Sequence, residues 1–241
     1  MAESEYVALL PAAGIGSRLP NRVTSKELLR FGGGQEDSKP VISHVLSCMN
    51  LARINDMIVV LRDGKQDIVE YLTSSEWNHN NFLFEFTPGT SGVPETVALG
   101  LGRAQTRNVV FGFPDILFEP RDAFVKLMHR LENSKADVVL GLFPTGNPSK
   151  MDMVATDDSS RVTEIQIKPE STTLDLTWIL AAWKPSFSAY VAIDHSGAHL
   201  GDVFQRAMTD GLRIDSVSFK DGRSLDIGTP DDLERAKGWS S

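Results

Sequence analysis

Short apolar runs alternate with amphipathic segments of helical length through the first half of the chain. Five runs, each about five to seven residues long, are rich in Val, Ile, Phe and Leu, and most are bounded by Gly, Pro, Asn or Asp. This composition is typical of strands that are buried on both faces. The predicted strands are Tyr6–Leu10, Met57–Leu61, Phe82–Phe86, Val109–Phe113 and Asp137–Phe143.

The segments between these runs have the spacing of helices with one apolar face. Val41, Val45 and Met49 illustrate it, because residues four positions apart lie on the same side of a helix. The predicted helices are Val41–Ala52, Lys65–Ser74, Pro94–Gln105 and Pro120–Asn133. Strands that alternate with helices predict an α/β fold, a Rossmann-like α/β/α sandwich with a mostly parallel central sheet.

The second half of the chain is less regular. Its predicted strands are Met153–Ala155, Arg161–Ile167 and Trp178–Trp183, and its predicted helices are Ser186–Ile193, Leu200–Asp210 and Pro230–Lys237. Five positions apart on a strand, Trp178 and Trp183 are expected on opposite faces, with core packing for at least one of them. Since no internal repeat or linker-like stretch interrupts the pattern, we expect one domain over residues 1–241.

Composition narrows the classes of partner. The 241 residues include 24 Lys+Arg and 32 Asp+Glu, a formal net charge of −8, which argues against nucleic acid and membrane surfaces as partners. The single cysteine, Cys48, excludes an internal disulfide framework. The sequence contains neither a signal-peptide pattern nor an apolar run of about 18 residues, so we expect a cytoplasmic protein.

A loop of small residues, Pro11–Leu19, follows the first predicted strand. Such a loop lets backbone N–H groups approach a phosphate. It is not the dinucleotide fingerprint G-x-G-x-x-G, whose third glycine would fall on Leu19, and a tight turn at a sheet edge would explain the glycines equally well. Arg18 and Lys26 favour the phosphate interpretation, because their charges suit a triphosphate.

Four stretches, in order, resemble the motifs of one enzyme family. The loop LLPAAGIGSRL followed by a lysine resembles the signature loop of the sugar-1-phosphate nucleotidyltransferases, the nucleoside-diphosphate-sugar pyrophosphorylases that include glucose-1-phosphate thymidylyltransferases. The stretches GFPD (112–115), VTEIQIKP (162–169) and LDIGTPDDL (225–233) resemble three further motifs of that family. The resemblance covers roughly residues 6–237 and implies the nucleotide-diphospho-sugar transferase fold.

The resemblance also implies a reaction and a metal. The partners would be a nucleoside triphosphate (NTP) and a sugar 1-phosphate, and the products a nucleoside-diphosphate sugar and pyrophosphate. Residues 1–145 would bind the nucleotide and residues 146–241 the sugar phosphate. Mg²⁺ would be the cofactor, with Asp115 and Asp226 as its ligands. From the residues alone, either aspartate could instead close a turn.

Further roles follow from the resemblance, residue by residue. Arg18 and Lys26 would neutralise the triphosphate, and Lys168 would bind the acceptor phosphate, although an exposed lysine at a strand end would need no partner. Gly92 would lie against the nucleobase, but a loop that opens a helix at Pro94 explains this glycine equally well. The predicted nucleotide-binding residues are Leu10, Ala12, Ala13, Gly14, Gly16 and Gly92.

Departures from the family pattern leave other functions open. Ser25 stands where the family usually has proline, and Ile167 stands where a glutamate usually binds sugar hydroxyls, which weakens the assignment of a hexose. The short loop also resembles cytidylyltransferases that act on polyol phosphates such as methylerythritol phosphate. A catalytically inactive regulator that binds nucleotide sugars is a third alternative. The nucleobase and the oligomeric state, including a homo-oligomer, are open.

Overall fold

The computed structural model describes residues 5–15, 25–32 and 38–239. The strands are β1 Tyr6–Ala12, β2 Arg30–Phe31, β3 Lys39–Pro40, β4 Asp56–Arg62, β5 Asn81–Thr87, β6 Asn108–Gly112, β7 Ile116–Glu119, β8 Val138–Pro144, β9 Met153–Thr156, β10 Val162–Gln166, β11 Leu176–Trp183, β12 Ile214–Ser218 and β13 Arg223–Asp226. The helices are α1 Ile42–Leu51, α2 Gln66–Leu72, α3 Val93–Ala104, α4 Ala123–Glu132, α5 Pro185–Ile193, α6 Leu200–Thr209 and α7 Pro230–Ala236. Short 3₁₀ turns occupy Lys26–Leu28, Ser75–Trp77 and Pro148–Lys150. In the part of the chain so described, every helix is too short or too polar to span a membrane.

The main sheet has nine strands. Along the row β5–β4–β1–β6–β11–β8–β12, strand β11 runs antiparallel to both of its neighbours, and the other strands run parallel to one another. The hairpin β9–β10 joins this row through a contact between Met153 and Thr177. The predicted mostly parallel α/β sheet is confirmed.

The strand order places a cleft at the end of β1. The chain moves outward from β1 to β4 and β5, then returns to β6 on the other side of β1. At such a switch point the loops that leave the two neighbouring strands diverge and open a crevice at their carboxyl ends. The loop after β1, at Ala13–Ile15, and the loop after β6, at Phe113–Asp115, therefore face the same space.

Two apolar layers cover the sheet. Helices α1, α2 and α4 contribute buried residues to one layer, and α3, α5 and α6 contribute to the other. Trp178 and Trp183 both belong to the second layer, so the expectation that they point to opposite faces is wrong. A shift in register between Trp178 and Leu180 is the reason, because one extra residue in a strand reverses the alternation beyond it.

Strands β7 and β13 form a small antiparallel ladder beside the main sheet. Both were missed in the sequence because each has only four residues, too few to show a period. The ladder packs with α7 over a third apolar cluster that includes Leu117, Leu225 and Trp239. Thr229 caps the N-terminus of helix α7, and its hydroxyl accepts a hydrogen bond from the backbone N–H of Asp232 at 3.3 Å.

Helix α3 packs closely against the sheet at Gly100. A methyl group at Gly100 would lie 2.4 Å from Leu9 Cδ1 and 2.9 Å from Val60 Cγ2, whereas one at Gly102 would meet nothing within 4 Å. We expect Gly100→Ala to lower the free energy of unfolding by about 1–3 kcal/mol through overpacking. The matched control Gly102→Ala, in the same helix, should raise it by up to about 1 kcal/mol. Urea denaturation measures both changes, and equal effects would contradict the packing described for α3.

Candidate active site

A cleft of about 520 Å³ opens at the carboxyl ends of β1 and β6. Its walls are formed by the loops after β1, β5 and β6, by the segment that leads into β9, and by the ends of β10 and β13. Seven residues that the sequence singled out line it, namely Ala13, Gly14, Lys26, Gly92, Asp115, Lys168 and Asp226.

The remaining candidates lie elsewhere or outside the described residues. Leu10 and Ala12 are fully buried within β1, and their side chains pack in the core rather than against the cleft. This follows from their place in a central strand, so they cannot meet a nucleotide through their side chains. Gly16 and Arg18 lie outside the described residues.

The β7–β13 ladder brings Asp115 and Asp226 to one side of the cleft. Asp226 pairs with Ile116 in the ladder, and the backbone N–H of Ile227 donates to the carbonyl of Asp115 at 2.9 Å. Asp115 is buried and Asp226 is exposed. Two carboxylates beside a space large enough for phosphates fit Mg²⁺, which prefers one or two carboxylates together with phosphate oxygens and water. The described residues contain no cluster of three or more His, Cys, Asp or Glu that could hold a metal by protein ligands alone.

Lys26 reaches this carboxylate pair from the start of the 3₁₀ turn Lys26–Leu28. Its Nζ forms an ion pair with Asp115 Oδ2, and its side chain passes over Gly14, where an added methyl group would lie 3.8 Å from Nζ. Burial lowers the pKa of Lys26, but Asp115, then Glu27 and Asp226, more than offset that effect and raise it. The ammonium is therefore charged at neutral pH and lies where anionic groups gather.

A second buried ion pair, which could not be identified from the sequence, holds the turn that carries Lys26. Lys65 Nζ donates to Glu27 Oε1 and to the carbonyl oxygen of Ala12, both at 2.7 Å. Glu27 is 1% exposed. Burial raises the pKa of Glu27 and lowers that of Lys65, and their mutual attraction acts against both shifts. The pair fixes the 3₁₀ turn that carries Lys26 to the end of β1.

Arg62 joins the loop after β1 to the loop after β5 at one side of the cleft. Its Nε donates to the carbonyl of Ala13 at 3.1 Å, and its Nη1 donates to the carbonyl of Pro88 at 2.8 Å. A methyl group at Gly89 would lie 2.8 Å from Arg62 Nη2, so the guanidinium packs directly on that loop. Arg62 could not be identified from the sequence, because nothing in its local pattern separates it from a surface arginine.

Gly92 lies at the cleft and also at the start of α3. Its φ of −178° is extended backbone, so no left-handed conformation requires glycine here. A methyl group at Gly92 would instead lie 2.7 Å from the carbonyl oxygen of Ala198. The structure therefore supports the interpretation of Gly92 as the residue that opens the helix, and it adds a packing reason, the approach of the segment before α6. The contact with a nucleobase stays a prediction.

Lys168 follows β10 in an uncommon backbone conformation. Its φ is +41°, a region that costs a non-glycine residue about 1–3 kcal/mol, and Pro169 follows directly. The side chain is exposed and lines the cleft. Residues held in this way are concentrated at functional sites.

Comparisons with known proteins agree with this fold. The sequence model of the family described as nucleotidyl transferase matches residues 7–238. The fold is similar to that of a Bacillus anthracis protein assigned as a glucose-1-phosphate thymidylyltransferase and crystallised with sucrose, with a TM-score of 0.82 and 20% identity over 96% of this chain and 92% of that chain. It is also similar to the inositol-1-phosphate CTP transferase of T. maritima, with a TM-score of 0.78 and 16% identity over 95% of this chain and 91% of that chain. The fold is similar as well to that of a UDP-glucose pyrophosphorylase of Acinetobacter baumannii, with a TM-score of 0.80 and 16% identity over 95% of this chain and 90% of that chain. No curated protein sequence matches the chain.

The buried Lys65–Glu27 pair has an exposed counterpart that serves as a control. The side chains of Lys65 and Glu27 are 10% and 1% exposed, whereas those of Lys237 and Glu234, paired at 2.6 Å, are 61% and 68% exposed. We expect Lys65→Met to lower the free energy of unfolding by about 3–5 kcal/mol, because it leaves the Glu27 carboxylate buried without its cation. Lys237→Met should cause no measurable change.

A second substitution separates lost charge pairing from lost packing. Adding Glu27→Gln to Lys65→Met should recover part of the lost stability, since the uncompensated charge is then gone. Urea denaturation of the three variants measures this. A Lys65→Met protein as stable as Lys237→Met would contradict the role given to the pair.

Proposed function

The chain belongs to the nucleotidyl transferase family, and from that premise we propose that it transfers a nucleoside monophosphate from an NTP to a sugar 1-phosphate. The observation that carries this proposal is the set of residues that line one cleft. It holds the small-residue loop after β1, the cation Lys26, two carboxylates, and a second cation, Lys168, at the end of β10. A triphosphate and a second phosphate need such a set of charges.

The reaction requires one bond to form and one to break at the α-phosphorus. A phosphate oxygen of the acceptor forms the new P–O bond, the bond from the α-phosphorus to the oxygen that bridges to the β-phosphate breaks, and pyrophosphate leaves with that electron pair. Little covalent chemistry is left to the protein, so positioning and stabilisation of charge dominate. In this proposal the backbone at Ala13–Gly14 approaches the phosphates and Lys26 neutralises them.

Asp115 and Asp226 are the residues that would hold Mg²⁺. The ion would supply positive charge beside the phosphate oxygens. Lys26 is paired with Asp115 in the structure, so a triphosphate gives its ammonium a second anion to bind. In this proposal, Lys26 pairs with Asp115 when the cleft is empty. When the nucleotide binds, the ammonium shares its charge between Asp115 and the phosphates.

Lys168 would bind the phosphate of the acceptor. Its charge lies on the cleft wall formed by β10, away from the loop after β1 that we assign to the nucleotide. A polyol phosphate is the second candidate acceptor, because the side chain next to Lys168 is Ile167, which offers no hydrogen bond to a sugar ring. The nucleobase would lie near Gly92, between the loop after β5 and the segment before α6.

A substrate screen tests the proposed reaction. UTP, dTTP, CTP, GTP and ATP are each combined with a panel of sugar 1-phosphates and polyol phosphates, and the release of pyrophosphate is measured. We expect turnover with at least one pair, its loss when EDTA is added, and its recovery with Mg²⁺. Asp115→Ala and Asp226→Ala should each lower kcat/KM by about 100-fold or more, while Asp221→Ala, at an exposed turn, should not change it.

Two results would overturn parts of this proposal. Turnover that persists without a divalent metal, or full activity in Asp115→Ala, would contradict the carboxylate assignment. No turnover with any pair, together with tight binding of a nucleotide sugar, would replace the enzyme by a binding protein.

Lys168→Ala tests the division of the cleft. The loss of a charged hydrogen bond to phosphate should raise the KM of the acceptor by about 10-fold or more and leave the KM of the NTP within about twofold. Lys220→Ala, at an exposed position, is the control. A larger effect on the NTP than on the acceptor would show that Lys168 has been assigned to the wrong substrate.

A further inference from the structure

The residue that precedes Lys26 is held by one carboxylate through two hydrogen bonds. The backbone N–H of Ser25 donates to Asp67 Oδ2, and the hydroxyl of Ser25 donates to Asp67 Oδ1, both at 2.7 Å. Asp67 Oδ1 also accepts a hydrogen bond from the backbone N–H of Ile68 at 2.9 Å, so the first turn of α2 orients the carboxylate. Hydrogen bonds to an ionised carboxylate are roughly twice as strong as neutral ones. Ser25 is therefore tied to α2, although 42 positions separate it from Asp67.

These bonds hold Ser25 in a backbone conformation that is characteristic of proline. Its φ is −58° and its ψ is 143°. The ring of proline fixes φ near about −65°, and extended polyproline segments combine such a φ with a ψ of about +145°. A serine has no ring and can adopt other backbone conformations, so its conformation depends on its contacts. One bond from the backbone and one from the side chain of the same residue restrict Ser25 to a single arrangement.

The conformation of Ser25 determines the direction in which the chain enters Lys26. The carbonyl of Ser25 accepts a hydrogen bond from the backbone N–H of Leu28 at 2.9 Å and so closes the 3₁₀ turn that begins at Lys26. On the other side of Lys26, Glu27 pairs with Lys65, the residue directly before α2. Both chain neighbours of Lys26 are thus bound to the start of the same helix. The backbone of Lys26 therefore has a fixed place relative to α2, from which its side chain reaches the cleft.

Asp67 acts at a distance from the reacting groups. Lys26 lines the cleft, whereas neither Ser25 nor Asp67 is among the described residues that line it. Both carboxylate oxygens of Asp67 accept hydrogen bonds from the chain, so the group holds the backbone in place. Any effect of Asp67 on the chemistry of the cleft passes through Ser25 to Lys26.

We propose that Asp67 is a positioning residue, which by binding Ser25 sets the backbone from which the Lys26 ammonium meets the triphosphate. This inference rests on the proposed function, in which Lys26 neutralises the phosphates. Stabilisation of charge during phosphoryl transfer depends on groups that are already in place, and a displacement of about 1 Å can cost about 100-fold in rate. Without Asp67, Ser25 would adopt several backbone conformations, and Lys26 would be correctly placed for only a fraction of the time.

A double-mutant cycle with proline tests whether Asp67 acts by fixing the backbone of Ser25. Asp67→Ala should lower kcat/KM for the NTP by about 10-fold or more and leave the KM of the acceptor within about twofold. Adding Ser25→Pro should bring kcat/KM back to within about threefold of the wild type, because the ring then fixes φ without the carboxylate. Ser25→Pro alone should be less active than the double variant, since the ring would occupy the space in which the N–H meets Asp67 Oδ2.

Two further variants complete the comparison. Glu70→Ala removes an exposed carboxylate from the same helix and should behave as the wild type. Ser25→Ala keeps the backbone bond to Asp67 and loses the hydroxyl bond, so its activity should lie between that of the wild type and that of Asp67→Ala. A kcat/KM of Asp67→Ala within about twofold of Glu70→Ala would overturn the inference. So would a Ser25→Pro/Asp67→Ala protein that is no more active than Asp67→Ala.

The melting temperature separates positioning from a purely structural role. Circular dichroism gives the Tm of each variant, and activity is measured well below the lowest Tm. If Asp67 only stabilised the fold, Asp67→Ala would lower Tm and leave the kcat/KM of the folded protein unchanged, which would contradict the inference.

Binding of nucleotide separates this inference from a failure of the proposed reaction. Calorimetry measures the Kd of UTP, dTTP, CTP, GTP and ATP in the presence of Mg²⁺. If the wild type binds an NTP but turns over no pair, the proposed reaction fails. The cycle is then followed through the Kd of that NTP, which Asp67→Ala should raise by about fivefold or more and which the added Ser25→Pro should restore. A wild type that binds none of the five would overturn both proposals, because Lys26 would then have no triphosphate to meet.

Discussion

The cleft depends on which groups form hydrogen bonds with the backbone carbonyls at the end of a buried central strand. Strand β1 is covered on both faces and ends at the switch point, where the carbonyl groups of its last residues need hydrogen-bond donors. Two cations provide hydrogen bonds there. Lys65 donates to the carbonyl oxygen of Ala12, and Arg62 donates to the carbonyl oxygen of Ala13. Both cations come from β4 and the turn after it, so the loop after β1 is held by the neighbouring strand rather than by its own residues.

That arrangement explains why a protein with a net charge of −8 concentrates cations at one place. Lys65 is buried and needs an anion, which Glu27 provides, and Glu27 lies beside Lys26 on the same turn. Lys26 in turn pairs with Asp115. The charges form an alternating chain from the core to the cleft, and only its outer end is available to substrate. Stability and the proposed binding of phosphate therefore depend on one network.

The periodic elements could be predicted from the sequence, because β1, β4, β5, β6 and β8 are long apolar runs and the longer helices each show one apolar face. The motif residues Lys26, Asp115 and Asp226 were found by resemblance. Glu27 and Lys65 were not, since a pair 38 positions apart leaves no local signal. The register shift near Trp178 was missed for the same reason, because an irregularity in pairing depends on the partner strand. Arg18 and Gly16 lie outside the described residues.

In the proposed reaction, the two ends of the cleft would recognise their ligands by different physical means. At the β1 end the protein presents backbone groups and paired charges, which suit any triphosphate and discriminate little between acceptors. At the β10 end, Ile167 and the carboxylate of Asp152 both lie beside Gly201 in the first turn of α6. In the proposed reaction, selectivity for the acceptor should therefore come from the β10 end of the cleft, while the Lys26 network acts on the triphosphate.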